Sequence, residues 1–150
     1  MRRRGDIQRE GEFIHGLARW RLWTTVTFTK PVSQTHARTT LQRWLQALAR
    51  DAGAHVVTVF AIDPHASGDP HIHALLGEIV ERVELDAARA AWLLWQVDPL
   101  AGLSKMDPYD PDRGAAWYLA GKAEWDRYVG CPRRPRCRRR SGCLLDPHAW

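Results

Sequence analysis

The sequence predicts an α+β fold, an antiparallel sheet with flanking helices, on three observations. Residues 22–29 alternate apolar and polar side chains with the period of a strand. Residues 55–62 and 71–77 are β-branched or apolar stretches joined by a Pro- and Gly-containing turn at 63–70, which reads as a hairpin. Helical periodicity falls between and after these strands, at 36–51, 85–96 and 111–126.

Each element has its own reason. In 22–29, Thr24, Val26 and Phe28 point one way and Trp23, Thr25, Thr27 and Thr29 the other, and Lys30-Pro31 ends the strand. In 36–51, Leu41, Trp44, Leu45 and Leu48 form an apolar stripe, and Gly53 is the expected stop. In 85–96, Leu85, Ala88, Trp92 and Trp95 share a face that is expected to meet the core. Pro99 and Gly102 break that helix, and 103–107 reads as a short edge strand. Asp110 and Pro111 suit the cap and first position of a third helix over 111–126. Periodicity vanishes after Gly130. The chain therefore divides into a basic arm at 1–19, a folded domain at 20–128 and an Arg- and Cys-rich tail at 129–150.

A chain of 150 residues is long enough for one domain with a real core. Its net charge of +5 sits entirely in the two ends, so the folded middle is not itself a basic surface. No apolar run reaches about 18 residues, so no membrane span is expected. No apolar stretch follows the N-terminal arginines, so no secretory signal is expected, and three cysteines confined to 131–143 suit a reduced, cytoplasmic chain. The phosphate-loop pattern GxxxxGK[ST] is absent, so ATP-driven work is not expected.

The sharpest chemical feature is His71-Ile72-His73. On a strand these imidazoles share a face, with Cα atoms about 7 Å apart, which suits two ligands on one metal ion. Asp63, at the other side of the hairpin turn, can bring a carboxylate to the same face, with His65 as a competing third ligand. Two imidazoles and a carboxylate suit Mn²⁺ or Mg²⁺, with Fe²⁺ possible in principle. Tyr118 and Lys122 lie four apart on the third helix and so share a face. A cation beside a phenol favours the phenolate, which is the nucleophilic form.

Strand 22–29 with its Thr-Val-Thr-Phe, the His-hydrophobic-His strand and the stretch Gly114-Ala115-Ala116-Trp117-Tyr118-Leu119-Ala120 stand in the motif order of a known family. Over about residues 20–125 the chain resembles the HUH single-strand endonucleases, the initiators of rolling-circle replication. The resemblance implies a ferredoxin- or RRM-like nuclease fold. It implies an enzyme in which His71, His73 and Asp63 hold Mn²⁺ or Mg²⁺ on the scissile phosphate. Tyr118 would attack that phosphate in single-stranded DNA, leaving a 5′-phosphotyrosine and a free 3′-OH, with Lys122 stabilising charge. The partners implied are a single-stranded origin and a host helicase and polymerase. Initiators usually carry their lysine three residues after the tyrosine, where this chain has Gly121; Lys122 is one further on. Single-tyrosine HUH transposases share the motif order and are the nearest alternative; a nucleic-acid-binding module without nuclease activity is another.

Two further patterns bear on function. Cys131, Cys137, Cys143 and His148 offer four ligands for a tetrahedral Zn²⁺ site in the tail. Arg133, Arg134, Arg136, Arg138, Arg139 and Arg140 between them are expected to contact DNA phosphates. His71, His73 and Glu78 also match the HxHx₄E pattern of a cupin-like metal enzyme, a reading that needs a mostly β barrel.

Overall fold

The computed structural model describes residues 3–64 and 69–132. Helix α1 (Arg4–Leu17) precedes strand β1 (Arg19–Thr27) and helix α2 (Gln34–Ala52). The hairpin strands β2 (Val56–Pro64) and β3 (Pro70–Glu78) come next, then helix α3 (Ala87–Val97). Strand β4 (Leu103–Pro108), helix α4 (Ala115–Ala120) and strand β5 (Asp126–Gly130) complete the order. The strands form one antiparallel sheet in the order β4-β1-β3-β2-β5. From β1 to β4 this is a split β-α-β arrangement, with β3 inserted between β1 and β2. The fold is α+β with helices flanking an antiparallel sheet, as the sequence predicts.

Strand alternation sends apolar side chains to both faces. Leu22, Val26, Phe60, Ile72, Ala74 and Leu76 pack with Leu41, Trp44, Leu45 and Leu48 of α2 and with Ala90 and Leu94 of α3. Val57, Val59, Ala61 and Leu75 pack on the other face with Ile14 of α1 and Ala115, Ala116, Leu119 and Ala120 of α4. The β1–β3 register shifts between Trp20 and Leu22, and the bulge turns Trp20 to the α1–α4 side while Leu22 faces α2. Local signals set the ends of α2: the Ser33 hydroxyl accepts from the His36 amide, and Gly53 adopts φ 66° to close the last turn.

Four features depart from the sequence reading. Residues 4–17, expected to be a basic arm, form α1, whose Ile14 is fully buried. Its few apolar residues and its glycines at 5, 11 and 16 hid the periodicity. The stretch 111–126 is not one helix: a 3₁₀ turn at Pro111–Arg113 passes through Gly114 at φ 73° into the short α4. The chain then returns to the sheet as β5, whose Gly130 admits the Leu45 carbonyl of α2 where a Cβ would stand. Last, α3 turns the opposite stripe inward: Ala90 and Leu94 are buried, whereas Trp92 and Trp95 are about half exposed. The helix is apolar nearly all round, and the slim Ala90 lets Trp44 reach its carbonyl with a 2.9 Å indole hydrogen bond.

Among the described residues no helix is long and apolar enough to cross a membrane. Cys131 is buried, and Gln46 of α2 bonds both its carbonyl and its amide. Cys137, Cys143, His148 and the six tail arginines lie outside the described residues, as does His65.

Candidate active site

The α1–α4 face of the sheet carries the predicted residues, gathered at one end. The register places Asp63 of β2 opposite His71 of β3, and His73 between Ala61 of β2 and Thr25 of β1. Period-two alternation then puts His71, His73, Asp63 and Thr25 on one face. The two imidazole rings are 6.2 Å apart, and the nearest carboxylate oxygen of Asp63 is 3.8 Å from His73 Nε2.

Helix α4 lies over this end of the sheet. Its apolar side, Ala115, Ala116, Leu119 and Ala120, is buried, which leaves Tyr118 at the rim, 44% exposed. The Tyr118 hydroxyl sits 3.3 Å from His73 Nε2, although 45 residues separate them in the chain. Lys122 lies beyond α4, not on its surface as the spacing predicts: Gly121 closes the helix, and the Lys122 amide donates to the Leu119 carbonyl. That turn still carries the ammonium to 4.2 Å from the Tyr118 ring centroid and into an ion pair with Asp63. All five residues, His71, His73, Asp63, Tyr118 and Lys122, therefore meet in one place.

Two further residues complete the site, and sequence reasoning did not single them out. Thr25 Oγ1 stands 3.4 Å from His73 Nδ1, so it steers the ring that presents Nε2 to Tyr118. Trp23 lies nearly parallel to the His73 ring, 6.0 Å between centroids, and edge-on to Tyr118 at 5.8 Å. The alternation of β1 had placed both on one face; that this face meets His73 follows from β1 lying beside β3.

The electrostatics favour a neutral His73 beside a charged Lys122. Burial holds the His73 imidazole below its ordinary pKa; the Asp63 carboxylate opposes this, and Lys122 and His71 reinforce it. A neutral imidazole is the form that binds a metal. Burial pulls Lys122 down, but hydrogen bonds to Asp63 and Tyr118, with the charge of both, outweigh it and raise its pKa. Lys122 is thus a firmly charged ammonium touching a carboxylate and a phenol.

Two imidazoles and a carboxylate on one sheet face are a donor set that fits a divalent ion. Among the described residues no three His, Cys, Asp or Glu side chains already converge as a ready-made metal site, and Asp63 is shared with Lys122. Glu78 is not a third member of the histidine pair. It is buried against Arg21, Arg19 and the Val83 amide, and the open sheet, with four α-helices among the described residues, is not a barrel. No protein-family model matches the chain, and no curated protein matches it.

Proposed function

We propose that this protein is a metal-assisted endonuclease that nicks and rejoins single-stranded DNA through Tyr118, in the manner of an HUH rolling-circle initiator. The observation that carries this reading is the 3.3 Å approach of the Tyr118 hydroxyl to His73 Nε2, which sets an exposed nucleophile against a histidine of the HxH pair. Lys122, at the same phenol and the same carboxylate, supports it. Mn²⁺ or Mg²⁺, held by His71, His73 and Asp63, would supply Lewis-acid charge at a phosphate oxygen.

The chain's own residues account for the rest. Tyr118 gives its proton to water, and Lys122 stabilises the phenolate. The phenolate oxygen attacks phosphorus, and the bond from phosphorus to the 3′ oxygen breaks. The 3′ oxygen takes up a proton and leaves as a free 3′-OH, while the 5′ side stays on Tyr118 as a phosphotyrosine. A 3′-OH attacking that phosphotyrosine reverses the step and restores the diester, so joining needs no nucleotide cofactor.

The test is an incubation of the full chain with Mn²⁺ and an end-labelled single strand from its own replicon. A denaturant-resistant adduct on the 5′ side is expected, lost in Tyr118→Phe and in the pair His71→Ala, His73→Ala. An adduct of unchanged yield in Tyr118→Phe overturns the tyrosine assignment. Salt-sensitive binding with no adduct under any divalent ion favours the non-catalytic nucleic-acid module instead.

A further inference from the structure

We infer that Lys122 is a resident cation that competes with a divalent ion for Asp63, so that ion binding and the commitment of the ammonium to Tyr118 are coupled. The inference rests on the metal-assisted reading above and deepens it. A single oxygen, Asp63 Oδ2, faces two partners: it is ion-paired with Lys122 Nζ and lies 3.8 Å from His73 Nε2. An ion bound by His71 and His73 with Asp63 draws on that same carboxylate. Two cations at one carboxylate oxygen repel, and the carboxylate and ammonium are both about three-quarters buried, which limits screening by water.

Lys122 has a second place to stay. Its ammonium already stands 4.2 Å from the Tyr118 ring centroid. When Asp63 turns to the ion, the phenol oxygen is the acceptor left to Lys122. Without the ion, Asp63 neutralises the ammonium and less of its charge is spent on the phenol. The tyrosine therefore has its strongest cationic support only when the ion is in place.

The coupling makes an unusual prediction: removing Lys122 tightens ion binding while it slows the chemistry. Mn²⁺ binding to the full chain without DNA is measured by electron paramagnetic resonance of the free ion. Lys122→Met is expected to bind Mn²⁺ about tenfold tighter than the wild type, a coupling of ordinary size between interacting groups. At saturating Mn²⁺ the same variant forms adduct more slowly. Asp63→Asn binds Mn²⁺ more weakly, and Lys122→Met tightens binding far less in the double variant, because the contested carboxylate is gone and only direct repulsion between the cations remains. Lys122→Gln serves if Lys122→Met misfolds. Equal or weaker Mn²⁺ binding in the lysine variants, or tightening as large with Asp63→Asn as without it, overturns the inference. Failure is separable from that of the nuclease reading: a wild type that forms adduct beside lysine variants that bind no tighter sinks only the coupling. A wild type that neither binds Mn²⁺ nor forms adduct sinks both.

Discussion

Trp23 is the residue on which the site's geometry turns without any chemistry of its own. Its indole is parallel to His73 and edge-on to Tyr118, so it keeps both rings from rotating away from their 3.3 Å contact. Aromatic pairs of this kind contribute about 0.5–1.5 kcal/mol beyond area burial. A small misplacement of a nucleophile costs far more in rate than in stability, up to about 100-fold for an ångström. Trp23→Ala is therefore expected to slow single-turnover adduct formation by about tenfold or more, while stability falls only by about 1–3 kcal/mol. Trp23→Phe, which keeps a ring, recovers most of the rate. Parallel measurement of the rate at saturating DNA and of the urea midpoint separates positioning from folding; equal rates in the two variants would remove Trp23 from this role. At this scale His71, His73 and Asp63 are singled out by spacing and residue chemistry, whereas the spacing puts Tyr118 and Lys122 on one helix that in fact ends before Lys122. Trp23 and Thr25 are not, because neither carries a signal until the strand order sets β1 beside β3.

At the scale of elements, the short α4 needs support, and α1 gives it. Six residues of helix are marginal by themselves, so packing must hold Tyr118 in place. Gly11 of α1 receives the Trp117 indole where a Cβ would stand, and His15 of α1 stacks on the same indole at 5.9 Å. His15 also bonds the Tyr109 hydroxyl at 2.8 Å, which ties α1 to the segment before α4. Helix propensity alone favours Gly→Ala by about 1 kcal/mol. At Gly11 the clash with the rigid indole wins, and Gly11→Ala is expected to destabilise by about 1–3 kcal/mol and to slow adduct formation by moving Trp117 and its neighbour Tyr118. Gly16→Ala, in the same helix with open space at its Cβ, is the control and is neutral or stabilising. Thermal melts of both variants beside the adduct rate decide it; a stable and fully active Gly11→Ala refutes the clamp. Such a helix is hard to read from sequence because its function depends on absent side chains. Residues 4–17 look like a solvated arm for the same reason that they fit against α4. The βαββαβ order is legible because hairpin, caps and the α2 stripe are local; the buried face of α3, the extent of α4, and all of α1 and β5 are set by contacts distant in sequence.

For the molecule as a whole, Glu78, Asp98 and His73 are among the described groups that shape how stability responds to acid, in two windows. Glu78 is fully buried; burial raises its pKa, but the bonds to Arg21 and the Val83 amide and the charges of Arg21 and Arg19 outweigh this and hold it low. Asp98 is likewise raised by burial and more strongly lowered by the Thr40 hydroxyl, His36 and the Leu100 amide, which bind α2 to the end of α3. A carboxylate held low in the native state binds fewer protons there than in the unfolded chain. Its stabilisation is full above the unfolded values of about 4.3 for Glu and 3.9 for Asp, and is lost as pH falls toward the native ones. His73, also held low, is neutral in both states above about pH 6.5; below that the unfolded chain takes the proton first and stability declines. Urea midpoints between pH 8 and 3 should therefore show a shallow fall beginning near pH 6.5 and a steeper one below about pH 4.5. His73→Gln removes the first fall and leaves the second. Glu78→Gln costs about 2–3 kcal/mol at pH 7, at the lower end for a buried ion pair because Arg19 and Arg21 remain partly in water. It also flattens the second fall, leaving the part due to Asp98 and to Asp51, whose carboxylate the Arg89 hydrogen bond holds low. Parallel acid profiles for wild type and Glu78→Gln below pH 4.5 would show that the buried carboxylate is not what ties this sheet together against acid.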